Sequence, residues 1–229
     1  MRIGFDAKRA FLNNTGLGNY SRDTIRVLSN FYPDNKYFLY TPKEKGNSRL
    51  AFLDNRNNTF VRTPQSLLNK ALKSYWRSKS IVSDLFNNKI DIYHGLSHEL
   101  PLGIEKTNIK TVVTIHDLIF IRYPHLFRTI DRKIYYKKFN SACHRADKII
   151  AVSQQTKQDI IDFFLIPEEK IEVIMILILT LLKVLMEGEM APMVIQSSDA
   201  LGRLNSHLTS PEYKIRELSA MNLGSISYN

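Results

Sequence analysis

MRIGFDAKRAFLNNTGLGNY, residues 1–20, decides how the rest of the chain is read. Arg2–Asp6 forms a short apolar stretch with strand character, and a loop follows that ends in Thr15-Gly16-Leu17-Gly18-Asn19-Tyr20. Leu17, Tyr20, Thr24, Val27, Leu28 and Phe31 then recur at helical spacing, so residues 17–30 are expected to be a helix. Strand, glycine turn and helix in that order make a cradle for a phosphate. The first N–H groups of a helix lack intrahelical partners, and the helix dipole favours an anion at that end. Gly16 and Gly18 let the backbone turn tightly and come close to a ligand. The third glycine of a dinucleotide fingerprint is absent, as is the Gly-Lys-Ser/Thr of a P-loop. Taken alone, the turn is equally consistent with a plain strand-to-helix connection.

Working outward, short apolar runs alternate with helical patterns. Strands are expected at residues 37–40, 59–62, 90–93, 111–115, 148–152 and 170–174, and residues 43–58 read as loop. Helices are expected at residues 67–86, 128–145 and 154–164, the last capped by Ser153. The run TVVTI at residues 111–115 is continuous, as in a central parallel strand covered on both faces. This alternation predicts an α/β fold, an open, mainly parallel, doubly wound Rossmann-like sheet over residues 1–174. Gly16 with Gly18, His94 with Gly95, His116 with Asp117, and Ser153 each fall just past the carboxyl end of an expected strand. Ligands of open α/β sheets bind along that edge, near the point where strand order reverses.

The 229-residue chain carries a net charge of +10 and a single cysteine, Cys143. A lone cysteine forms neither an internal disulfide nor a cysteine metal cluster, which fits a reducing compartment. The N-terminus reads as a strand, so no signal peptide is expected. From residue 175 on there are four Lys/Arg against five Asp/Glu, so residues 1–174 hold the whole basic excess. Such a domain suits phosphates, anionic lipid or nucleic acid, and charge does not choose among them.

At the expected edge, His116 is placed to hydrogen-bond a substrate hydroxyl or to act as a general acid or base, or simply to fix loop backbone. Asp117 would orient that imidazole or cap the next turn. His94 and Gly95 precede SHELP, whose His98 and Glu99 either face the crevice or, as expected of a loop, are exposed. His94 and His98 have the spacing of helix-borne metal ligands, but the segment is not helical and no third ligand is evident, so no metal site is expected. No Gly-x-Ser-x-Gly elbow surrounds Ser153, which argues against a hydrolase nucleophile. Two helical stretches mix cations with aromatics: Lys70, Lys73, Arg77 and Lys79 with Tyr75 and Trp76, then Arg128, Arg132, Lys133, Lys137, Lys138 and Arg145 with Tyr135 and Tyr136. This mixture suits an anionic membrane surface, while each helix taken alone reads as an ordinary solvated face. No nucleic-acid-binding motif accompanies it.

The opening strand with TGLGNY, YHGLSHELPL, TIHDLIF, RADKIIAVSQQTKQDII and PEEKIEVI together resemble the N-terminal half of the family-4 glycosyltransferases, retaining enzymes of GT-B fold. Thr15 stands where that family has the first glycine of its Gly-Gly-x-Gly-x-Tyr loop. The resemblance covers about residues 1–174 and implies one of two Rossmann-like domains facing across a cleft. It implies hexosyl transfer from a nucleotide-diphosphate sugar to a glycan or lipid-linked acceptor, as in polysaccharide biosynthesis, without a metal or other cofactor. Gly16 and Gly18 would approach the donor, and His116 would contact the transferred sugar as the catalytic residue. Thr15, Asn19, Tyr20, His94, Gly95, Asp117, Ser153 and Lys157 would lie on the acceptor side or elsewhere in the cleft. The implied location is cytoplasmic, with peripheral attachment at the inner membrane face as a variant.

The resemblance ends at residue 175. Residues 173–182 are apolar apart from Thr180, a run shorter than the roughly 20 residues of a spanning helix. The family's second domain carries two Glu eight positions apart and an Arg/Lys pair for the diphosphate, and no two Glu after residue 174 have that separation. Residues 175–229 are therefore expected to be a non-family tail and not a second Rossmann domain. The expectation is a truncated or frame-shifted member of the family, or one half of a split enzyme whose donor domain is a separate chain. The alternative is a catalytically inactive module that binds the acceptor or a membrane.

Overall fold

The computed structural model describes residues 1–54 and 56–174. The expected tail at residues 175–229 lies outside the described residues. β1 (Arg2–Asp6) leads into a five-residue helix, α1 (Lys8–Leu12), and then α2 (Gly16–Phe31). β2 (Lys36–Tyr40) and β3 (Thr59–Arg62) follow, with a 3₁₀ segment, Ser48–Leu53, between them. α3 (Leu67–Ala71), α4 (Lys73–Tyr75), a π-helical turn (Trp76–Ser80) and α5 (Ile81–Asn87) lead to β4 (Ile92–Gly95). Next come β5 (Lys110–Ile115), α6 (Ile119–Arg122), α7 (Thr129–Arg145), β6 (Lys148–Ala151), α8 (Gln154–Phe164) and β7 (Ile171–Val173).

The strands form one seven-stranded sheet in the order β3-β2-β1-β4-β5-β6-β7. Every pairing in it is parallel, so the sheet is wholly and not just mainly parallel. Strand order reverses between β1 and β4, which makes the carboxyl ends of these two strands the switch point. Right-handed crossovers on the two sides of that point place their helices on opposite faces. The core divides accordingly. Tyr37 and Leu39 pack with Phe5, Ala10, Phe11, Tyr20 and Ile25 on the α2 face. Phe38 and Tyr40 pack on the other face with Trp76, Leu85, Cys143 and Ile160, contributed by the π-helical turn, α5, α7 and α8. Cys143 is buried in this second layer, where burial pushes its thiol up to about 12.

Four expectations need correction. Residues 8–12 were expected as loop and form α1, whose Ala10 and Phe11 are buried under the sheet. The loop expected at residues 43–58 contains the 3₁₀ segment, whose Leu50 joins the core. The single helix expected at residues 67–86 is broken at Leu72, which takes φ −102° and ψ 58°, and again by the π-helical turn. There the Ile81 N–H donates to the Trp76 carbonyl five residues back. That extra residue turns Trp76 into the core, where its Nε1–H donates to Asp84 at 2.6 Å. Finally, β5 is not fully covered on both faces among the described residues. Val112 and its neighbour Ile150 on β6 stay half-buried on the α2 side, because only the connections around β1, β2 and β3 cross that face.

Candidate functional site

The register carries β4 two residues further than the sequence suggests: Phe5 pairs with His94, and Gly95 with Val113. His94 and Gly95 thus end the strand and do not follow it. A hydrogen-bonded relay crosses the switch point here. Tyr20 Oη lies 3.0 Å from Thr114 Oγ1, which lies 2.8 Å from His94 Nε2. All three side chains are buried, so α2, β5 and β4 are joined by a polar link inside the core. Burial raises the Tyr20 phenol, and burial with the neighbouring His116 lowers His94 to about 3. His94 is therefore a neutral bracing group.

His116 follows β5 directly. Its Nε2 is 3.0 Å from the Leu96 carbonyl, which only accepts, so Nε2 carries the proton and Nδ1 is left as an acceptor. The ring meets Tyr20 edge-on at 4.7 Å and His98 at 5.1 Å. Burial holds His116 at about 4, neutral at physiological pH. His98, expected on an exposed loop, is buried instead. It stacks flat on Phe139 of α7 at 4.3 Å, and its Nδ1 accepts from the His116 backbone N–H at 3.4 Å. It takes a positive φ of 64° to do so. Its pKa is lowered by burial first, then by His116 and Arg9.

The glycine turn is built differently from the sequence expectation. Asn13 Oδ1 accepts from the Thr15 N–H at 2.9 Å, the Thr15 hydroxyl at 2.7 Å and the Gly18 N–H at 3.2 Å. Asn13, two residues before the cap position, does the capping, and Thr15 donates to it. A Cβ on Gly18 would lie 1.8 Å from the Asn13 carbonyl oxygen. Gly18 is thus required by packing against its own loop. Gly16 remains exposed at the first position of α2. Buried Arg22 locks the same loop, donating to the carbonyls of Ala10 at 2.7 Å and Asn13 at 2.8 Å and to Asn19 Oδ1 at 2.7 Å. Gly95 repeats the pattern, since a Cβ there would lie 2.1 Å from the Glu99 carbonyl oxygen.

The remaining expected residues spread around this centre. Asp117 is half-buried and accepts from the Ile119 N–H at 3.3 Å, the capping role. Burial pushes its carboxyl up to about 6, aided by Asp159. Ser153 Oγ accepts from the Thr156 N–H at 3.1 Å, and the Thr156 hydroxyl donates to the His116 carbonyl at 3.1 Å. The start of α8 is thereby fastened to the end of β5. Lys157 does not join the cleft centre; it pairs with Glu168 at 2.9 Å, towards β7.

Sequence reasoning missed a charged cluster beside β1. Arg77, expected on a docking face, turns inward to Asp6 at 3.1 Å and Glu99 at 2.9 Å. Lys138 reaches Glu99 at 3.1 Å. Burial opposes the charge on Glu99, but Arg77 and Lys138 hold its carboxyl below the usual range. Lys8 and Arg9 on α1 complete the cluster. Both are half-buried, and burial and the cation of Arg77 lower both. The only signal available in the sequence was a pair of cations two residues past a strand end. The two supposed docking faces are also smaller than expected. Trp76 and Arg77 leave the first, and Arg145 leaves the second, donating to the carbonyls of Pro101 at 2.6 Å and Leu100 at 3.0 Å. Among the described residues no helix is long and apolar enough to cross a membrane, and no group of three or more His, Cys, Asp or Glu could hold a metal ion.

A wholly parallel, doubly wound sheet with polar groups gathered at its switch point defines a Rossmann-like domain. The family model for Glycosyltransferase Family 4 matches residues 15–175, the greater part of the chain. The chain belongs to glycosyltransferase family 4, as an N-terminal domain of that family. Solved structures that match include a glycosyltransferase from Rickettsia africae ESF-5, at 18% identity and a TM-score of 0.44, with 76% of this chain and 42% of that chain covered. The chain thus spans less than half the length of that enzyme. Among curated proteins none matches.

Proposed function

We propose that residues 1–174 form the acceptor half of a glycosyltransferase site, for hexosyl transfer from a nucleotide-diphosphate sugar to a glycan or lipid-linked acceptor. The observation that carries this reading is the tautomer of His116, together with the family match. A buried, neutral imidazole fixed by Leu96 offers a lone acceptor nitrogen beside the switch point, suited to a sugar hydroxyl. Gly16, exposed at the start of α2, offers a backbone N–H to the donor side. Electrostatic positioning of the leaving diphosphate would come from groups outside the described residues, on a separate domain or chain. Attachment to an anionic membrane at the cytoplasmic face is part of the same proposal, resting on the exposed Lys133, Tyr136 and Lys137 of α7.

The test is saturation-transfer NMR of the full chain with UDP-glucose and GDP-mannose. The hexose ring protons are expected to receive saturation in the wild type and to lose it in His116→Ala, with circular dichroism confirming that the variant is folded. Hexose signals unchanged by His116→Ala would remove His116 from the site. Vigorous hexosyl transfer by the chain alone would overturn the divided-site element of the proposal.

A further inference from the structure

We propose that Lys8 and Arg9 bind a phosphate group carried by the acceptor, on the β1 side of the switch point. The site is made by two side chains and not by the end of the short helix that bears them. Arg77 and Lys138 are engaged by Asp6 and Glu99, two carboxylates against two cations. Lys8 and Arg9 are left over, an excess of two positive charges that matches a phosphate monoester dianion. Among the described residues the Lys8 ammonium and the Arg9 guanidinium have neither a hydrogen bond nor an ion pair closed by contact, although both are half-buried. A half-buried guanidinium with its donors unpaired is costly, and two oxygens of one phosphate accept two parallel N–H bonds from its planar fork, while the ammonium beside it meets the second charge. The guanidinium also lies within electrostatic range of His98, His116 and Tyr135, which puts the anion on the same side of the switch point as the sugar that His116 would contact. Calling the phosphate the acceptor's rests on the sugar-transfer reading above; the phosphate site itself does not.

Other parts of the molecule carry less. The exposed Leu67, Leu68, Leu72 and Tyr75 form an apolar face on α3 and α4, with nothing to identify what covers it.

The experiment titrates the full chain with methyl phosphate, with the neutral methyl glucoside as control, and follows the Arg9 Nε–H resonance. A parallel arm uses bicelles containing phosphatidic acid, which presents the same phosphate on a lipid. Arg9→Gln and Lys8→Gln are each expected to weaken phosphate binding about ten-fold, and exposed Lys45→Gln to leave it unchanged. Glu99→Gln frees Arg77 and Lys138 and is expected to tighten binding several-fold, an effect that loss of folding cannot imitate. Response in the methyl phosphate arm marks a soluble phosphate ester, and response confined to the bicelle arm marks a lipid phosphate; both support the site if Arg9→Gln abolishes them. Absence of binding in both arms, or equal binding by wild type and Arg9→Gln, overturns it. Phosphate binding that persists while the hexose contacts at His116 fail would retire the sugar-transfer reading and keep the phosphate site.

Discussion

Two turns follow β1 within a dozen residues, one into α1 and one from α1 into α2, and they treat their polar groups in opposite ways. The turn into α2 satisfies itself. Asn13 takes three hydrogen bonds, Arg22 ties two carbonyls and Asn19, and Gly18 closes against the Asn13 backbone. The turn into α1 leaves Lys8 and Arg9 half-buried with no contact partner among the described residues. The comparison teaches that a glycine-rich motif at a sheet edge can be a feature of chain geometry, while an ordinary pair of cations beside it retains the capacity to bind. Internal satisfaction consumes binding capacity, because a donor already paired in the core gains little from a ligand.

The largest effect that sharpens this contrast is acid. Unfolded imidazoles protonate near pH 6.5, while burial holds His116 at about 4 and His94 at about 3, with His98 also well below its usual value. Between these limits the unfolded chain binds more protons, so stability is full above about pH 6.5 and falls as pH drops. Asp117 runs the other way. Its native carboxyl, pushed up to about 6, takes its proton before the unfolded one does and offsets one histidine down to about pH 4. A net loss of about 2 kcal/mol per pH unit between pH 6 and 4 is expected from urea titrations. A flat profile there would mean that the three rings are not buried neutral.

Gly18→Val comes next. With Cβ placed 1.8 Å from the Asn13 carbonyl, it is expected to destabilise by about 4 kcal/mol, read as the urea midpoint. Arg22→Met removes the three bonds that hold the loop and is expected to cost about 3 kcal/mol by the same measurement. Asn13→Ala, which strips the cap from α2, is expected to cost about 1–2 kcal/mol. At the bottom of the series, Arg9→Gln is expected to leave stability within about 0.5 kcal/mol, since no native bond is lost. If Arg9→Gln proved as damaging as Arg22→Met, the two turns would not differ as described.

Much of the scaffold was legible because local signals agreed with each other. Residues 59–62 and 154–164 match the expected bounds to the residue, the second because Ser153 caps the helix that follows it. The alternation of strand and helix was enough to predict a doubly wound sheet, and the polar strand ends were enough to point at one edge. What stayed hidden depended on long-range geometry. α1 is too short to show a period, and His98 is buried only because α7 brings Phe139 onto it. The capping of α2 by Asn13 reverses the usual order, with the acceptor ahead of the cap position. The difference between Arg22, fully engaged, and Arg9, unengaged, is invisible in a sequence where both are single arginines near a glycine turn.

The π-helical turn at Trp76–Ser80 has a consequence for how this edge could arise or be lost. A π-helical turn is an α-helix carrying one additional residue, so the segment behaves as a length mutation absorbed without a loop. Everything after it is rotated relative to everything before it, and Arg77 sits on the inserted part. Deleting a single residue there would restore a regular helix and swing the guanidinium away from Asp6 and Glu99, leaving Lys138 on Glu99 and Asp6 free to draw on Lys8 and Arg9. The charge balance beside β1 is therefore set by chain length as much as by residue identity. A homologue one residue shorter in this turn would keep one uncompensated cation at the same site in place of two, even with all six of those side chains retained.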